Sequence, residues 1–249
     1  MANWNDPQPP RTDFRTGTGS VGAFGTSADT LDVGLRKHML SIYNYMTSGV
    51  LLTGLVAMLT ASTGLVYALT AGPLLWVVML SPLAIVFAMS FGANRFSVGT
   101  LRAMFWGFAV LMGLSLSTIF LVYTNSSIAV TFFATAAAFA GLSLVGYTTK
   151  KDLSAMGSFL IMGVFGLIAA MLLNLWLKSP SLMWAISSLG VLIFAGLTAY
   201  DTQRLKKQYA HLRGTDFAGK AVVLGALSLY LDFINMFMFL LRFMGSSRS

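Results

Sequence analysis

Two carboxylates stand where apolar side chains would be expected. Asp232 lies near the middle of ALSLYLDFINMFMFLLRFMG, residues 226–245, and Asp201 closes GLTAYD just ahead of TQRLKK. An aspartate at the centre of a membrane helix costs about 2.5–3.5 kcal/mol to insert, so one that is kept needs partners, water or a task. Two tasks suit it: holding a proton, and passing a hard cation such as calcium, whose ligands are oxygens. The two segments also echo each other, each running from a small residue through Leu, a hydroxyl and Tyr to Asp. That echo predicts similar surroundings, and two carboxylates close together in low dielectric hold one proton between them.

A shared proton leaves one negative charge, and three arginines are candidates to balance it. Arg95, in FGANRFSVGTLRAMF, ends the second apolar run and is the natural cation on that side. Arg102 begins the next run, where a snorkelling side chain belongs. Arg204 follows Asp201 by one helical turn, and a local pair with it would make Asp201 an ordinary boundary residue. On a helix, positions 225, 228, 232, 235, 239 and 242 share a face. Gly225, Ser228, Asp232, Asn235 and Arg242 therefore form a polar stripe, broken by Phe239, on a helix otherwise built of Leu, Phe, Met and Ile. Such a stripe turns inward, which predicts a central last helix with Ser228 and Asn235 supporting Asp232. Asp201 and Asp232 are also the candidate calcium ligands. Asp152 is expected to cap a helix. His38 and His211 do not make a transition-metal site, and no Ser/His/Asp set, P-loop or nucleotide fingerprint appears. Neither an enzyme nor a cofactor is expected.

The elements that must position these residues follow from composition. Of 249 residues, 56% are hydrophobic and 10% charged, and the mean hydropathy is +0.76. A water-soluble globule does not have that composition. All eight acidic residues are aspartates, and there is no cysteine, which removes disulfides and thiolate chemistry. About 20 apolar residues cross a bilayer, and such runs lie at about 39–60, 74–93, 103–123, 127–147, 155–176, 182–202 and 223–244. The reading is an all-α integral membrane protein of seven transmembrane helices, with a disordered tail over 1–34, a bundle over 35–245 and a short C-terminal tail over 246–249. The stretch 203–221 reads as a basic, solvated linker. Thirteen of the sixteen Lys and Arg residues fall on one side of these spans, so the positive-inside rule places the N-terminus in the cytoplasm and the C-terminus outside. The net charge of +8 is thereby explained by topology, and no nucleic-acid partner is expected.

The segments LTAYDTQRLK, ALSLYLDFIN and LLRFMG, supported by LRKHMLSIYNYMTSGVLLTGLVA and KKDLS, resemble the Bax inhibitor-1 family, also called transmembrane Bax-inhibitor-motif proteins, in its bacterial form. The resemblance covers about residues 35–245. It implies seven helices with the last surrounded by the others, a place in the bacterial inner membrane, and a pH-sensitive calcium leak through the bundle. It further implies that Asp201 and Asp232 are the proton-sharing pH sensor and that Arg95 pairs with it. One departure stands out: SPLAIVFAMSFG on the second span lacks the acidic residue that some relatives carry there. A cation passing that helix would meet carbonyls, hydroxyls or water. The functional alternatives are a non-conducting regulator that binds other membrane proteins, such as a membrane-anchored protease, and a proton-coupled cation carrier. The expected partners are the lipid bilayer, calcium and protons.

Overall fold

The computed structural model describes residues 21–248, with side chains from Val33 onward. Among the described residues there are nine helices: α1 Val21–Ser62, α2 Leu65–Thr70, α3 Leu74–Gly92, α4 Val98–Leu116, α5 Ile119–Val122, α6 Asn125–Thr148, α7 Ser154–Leu177, α8 Pro180–Leu212 and α9 Ala218–Met244. Seven stretches are long and apolar enough to cross a membrane, and they coincide with the seven spans read from the sequence. Here α4 and α5 together make the third, and α2 is a short helix between the first two. Residues 1–20 of the expected tail lie outside the described residues. From Val21 the backbone is already helical, within the stretch expected to be a disordered tail, and the compact unit that holds the bundle begins at Lys37.

Local sequence sets the helix ends. Ser97, Thr124 and Ser179 each accept a hydrogen bond from the backbone N–H three residues on, so α4, α6 and α8 start on hydroxyl caps. Pro180 then occupies the first turn of α8, where no N–H is needed. Between α8 and α9 the chain reverses through Gly214, whose φ of 77° suits a residue without Cβ.

The linker expected over 203–221 is instead mostly helix. α8 continues to Leu212, with Gln203 and Leu205 buried. The cause is a set of long-range polar contacts. Gln203 Nε2 donates to Lys151 O (2.7 Å), and its Oε1 accepts from Leu153 N–H (2.9 Å). Lys206 Nζ caps the end of α6 at Tyr147 O (2.7 Å), and Lys207 pairs with Asp152 (2.6 Å). The basic run thus fastens α8 to the α6–α7 connection.

Of the apolar window of α9, 67% is buried, against 17–39% for the other spans, so the last helix is central. It packs on α8, α6 and α4. Tyr230 is fully buried, with its ring edge-on to Phe108 at 5.0 Å. Its hydroxyl meets Thr53 Oγ1 at 2.7 Å, and Thr53 donates its own proton to Ala109 O at 2.8 Å. Tyr230 is therefore the donor to Thr53, and one chain of hydrogen bonds ties α9, α1 and α4 with every polar atom partnered. Helix α8 also meets α6 at backbone distance, because a Cβ on Gly146 would collide with the carbonyl of Ala199. This close crossing carries the segment 198–203 into the middle of the bundle.

Candidate functional site

Asp201 lies in the interior of α8, eleven residues before its end, or about 16 Å along the axis. It is only 6% exposed, so it needs partners within the protein. Two groups converge on it. Ser228, from α9, donates a short hydrogen bond to Oδ2. Arg204, one turn on in α8, places Nη2 3.4 Å from Oδ1 and Oδ2 alike. The same Nη2 donates to Ser228 Oγ at 3.2 Å, closing a triangle across the two helices. The Arg204 guanidinium also lies 5.7 Å over the Tyr200 ring, which adds a cation–π contact of about 0.5–1 kcal/mol at an exposed site.

Asp232 lies four residues beyond Ser228 on the same face of α9, about 6 Å further along. It is 5% exposed, and its Oδ2 has no hydrogen-bond partner among the described residues. The charged groups acting on it are Asp201 and Arg204 of α8. Both predicted aspartates are thus buried near the α8–α9 contact, Asp201 held by Ser228 and Arg204 and Asp232 one turn beyond Ser228. Among the described residues no hydrogen bond links the two carboxylates directly.

The stripe on α9 ends here. Asn235 turns back on its own helix, donating to Leu231 O at 2.8 Å, so it does not support Asp232. Arg242 lies beyond, over Phe239 at 5.9 Å. Gly225 fits against Leu205 and Ile42, where it serves packing.

The expected partnership of Arg95 is corrected. Its side chain is exposed in the turn after α3 and makes no hydrogen bond or ion pair among the described residues. The end of α3 is occupied instead by Lys220 of α9, whose Nζ donates to Ala93 O (3.1 Å) and Asn94 O (3.3 Å). Arg204 takes Asp201 because it starts one turn away on the same helix and need not cross the bundle. Arg102 lies 5.8 Å over the Tyr45 ring. Sequence reasoning raised the Arg204–Asp201 pair only as the local alternative to Arg95, and it passed over Gln203 as a fastener. Arg204 had a signal, the three-residue spacing after Asp201, whereas Gln203 had none.

Asp152 is not the cap expected of it: Leu153 holds the N-cap position of α7, and the Asp152 side chain one residue earlier accepts from the Ser154 N–H (3.1 Å) and hydroxyl (2.8 Å) in an Asx turn. The Lys207 ammonium above all, then Ser154, holds its carboxyl down from 3.8 to about 2. A depressed carboxylate contributes its stability above the ordinary value and loses it only as pH falls toward the folded one. The Lys207–Asp152 contact is therefore intact throughout about pH 5–8 and sheds its effect only between about pH 4 and 2. Asp152→Asn is accordingly expected to leave the shape of any pH response between pH 5 and 8 unchanged. A displaced midpoint in that variant would make the loop pair part of the sensor.

Among the described residues no three His, Cys, Asp or Glu side chains gather into a metal cluster.

A family model described as inhibitor of apoptosis-promoting Bax1 matches residues 35–249. The chain is 46% identical to the inner membrane protein YbhL of Escherichia coli over 219 residues, which cover 86% of this chain and 94% of that protein. It is 48% identical to a protein of Caulobacter vibrioides, covering 88% of this chain and 92% of the other. It is 45% identical to protein RP147 of Rickettsia prowazekii, with 88% and 93% covered.

Proposed function

The chain belongs to the Bax1-I family, inhibitors of apoptosis-promoting Bax1, and from that membership and the α8–α9 contact we propose that it is a pH-sensitive cation leak, with calcium as the transported ion. A single observation carries this reading: Asp232 is a buried carboxylate with an unpartnered oxygen, one turn from Ser228, whose hydroxyl ties the Arg204–Asp201 ion pair of α8 to α9. A group of that kind changes charge when it takes up or releases a proton. The neighbouring Asp201–Arg204–Ser228 triangle must respond, because the same low-dielectric layer holds both. Loosening the triangle separates α8 from α9 and opens a path past Asp232. No chemical reaction or cofactor enters this reading.

YbhL of Escherichia coli is an inner membrane protein, and we assign this chain to the same membrane with its N-terminus cytoplasmic. Thr215, exposed in the α8–α9 turn, tests the orientation, since the chain has no cysteine of its own. Thr215→Cys is expected to react with an impermeant thiol reagent only after the membrane is opened. Labelling in intact cells would invert the topology.

Calcium uptake into proteoliposomes at several values between about pH 5 and 8 tests the function. A protein-dependent, pH-dependent flux is expected. Flux no greater than in empty liposomes at any pH would reject the leak and favour a non-conducting regulator of other membrane proteins. Strict counter-transport of protons would instead identify a carrier.

A further inference from the structure

The second half of α1, the α4–α5 junction, the start of α6 and the second half of α9 surround a cavity of about 510 Å³. That volume lies within the range of ligand-holding cavities. Its deep walls are apolar, with Phe233, Phe237 and Phe132 among them. A carbon added at Gly54 would meet no atom within 4 Å, so the α1 wall is open. Two rim residues, Met58 and Phe133, are 51% and 72% exposed on the surface that faces lipid in a seven-span bundle. The cavity is therefore continuous with the bilayer.

The mouth has a different chemistry. Arg248 folds back there, its backbone N–H bonded to Val122 O at 2.8 Å. Its guanidinium donates to Phe120 O (2.8 Å) and to Asn125 Oδ1 (3.4 Å). Both acceptors are neutral, so they fix the guanidinium in place without cancelling its charge. Among the described residues no acidic side chain lines the cavity. The ion pairs among the described residues, Arg204–Asp201 and Lys207–Asp152, involve none of its lining residues. An apolar slot open to the bilayer beneath a fixed cation matches an amphiphile with one hydrocarbon chain in the slot and an anionic head at the mouth.

We infer that this cavity is a lipid site, which takes an acyl chain of an anionic phospholipid between α1, α6 and α9 and seats the phosphate on Arg248. The arginine fork suits phosphate, and the aromatic walls suit a flexible chain. The inference does not depend on the α8–α9 layer.

The test uses the full chain in nanodiscs containing phosphatidylglycerol with a photoactivatable group at the end of one acyl chain, followed by peptide mapping. Adducts are expected to concentrate on residues 50–57 of α1 and 233–237 of α9, well above the lipid-facing surface of α7 around Phe165. Gly54→Phe fills the slot and should remove most of those adducts. Ala129→Phe, on the facing wall, does the same if the first variant fails to fold. Arg248→Gln should lower labelling by phosphatidylglycerol about fivefold, the worth of one basic side chain against an anionic headgroup, and leave labelling by a phosphatidylcholine probe unchanged. Even labelling across all lipid-facing helices, or indifference to both the blocking and the charge variants, would overturn the site.

Discussion

In proteoliposomes, Arg204→Ala is expected to raise calcium flux at neutral pH about tenfold, while Arg95→Ala stays within about twofold of the parent protein. The argument starts from what Arg204 holds. Its Nη2 is the cation on Asp201 and a donor to Ser228, so removing it strips the α8–α9 contact of its charge and of two hydrogen bonds. Breaking a fully buried pair costs about 3–5 kcal/mol, and an exposed one about 0–1 kcal/mol. The Arg204 side chain is 38% exposed and that of Asp201 is 9%, so the loss falls between those limits. A value of about 1.4 kcal/mol shifts a closed–open equilibrium tenfold. Arg95 touches neither carboxylate, and its removal leaves Lys220 on the end of α3. Equal responses from the two variants would return the counter-charge to Arg95 and remove Arg204 from the gate.

The fold was legible because a bilayer imposes one simple demand, a run of apolar residues long enough to span it. Each of the seven runs became a helix, and the hydroxyls at Ser97, Thr124 and Ser179 mark helix starts that a reader of caps can find. The central place of α9 was legible too, since a stripe holding Ser228 and Asp232 has nowhere cheaper to face than the interior. What hydropathy could not show was that α8 outlasts its apolar stretch by ten residues. Helix 203–212 is held by Gln203, Lys206 and Lys207 reaching backbone and carboxylate groups some fifty residues away in sequence. Long-range polar contacts of that kind have no period, so a basic run after a span reads as a linker.

The site divides along the same line. Asp201 and Asp232 were found because an ionisable residue in an apolar run is conspicuous. How the two meet was not legible: Asp201 sits within a helix that continues to Leu212 and bonds Ser228 of α9, one turn before Asp232. The choice among Arg95, Arg102 and Arg204 turned on three-dimensional position. Short tethering decided it, since an arginine three residues on along the same helix loses less freedom in pairing than one held on another element.

Asp201→Asn and Asp232→Asn are each expected to abolish the pH response of calcium flux, and the double variant to resemble either single one. Asp232 lies one turn beyond Ser228, which holds the Asp201–Arg204 pair, so on the proposed reading the two carboxylates act as one unit. Removing one ionisable group leaves the other without the partner whose charge it senses, and a second removal then has nothing further to take away. Stability should separate the two roles. Asp201→Asn leaves Arg204 without its counter-charge and weakens the Ser228 bond, so the thermal midpoint should fall by an amount matching about 1–3 kcal/mol. Asp232→Asn replaces a carboxylate whose Oδ2 has no partner with a neutral amide of nearly the same shape, so the midpoint should hold or rise. The measurements are flux across about pH 5–8 and thermal unfolding in detergent, for the parent, both single variants and the double. Independent, additive shifts of the pH midpoint would dissolve the coupled pair. A large loss of stability in Asp232→Asn would mean that this carboxylate is held by a structural partner, and the sensing role would pass to Asp201 alone.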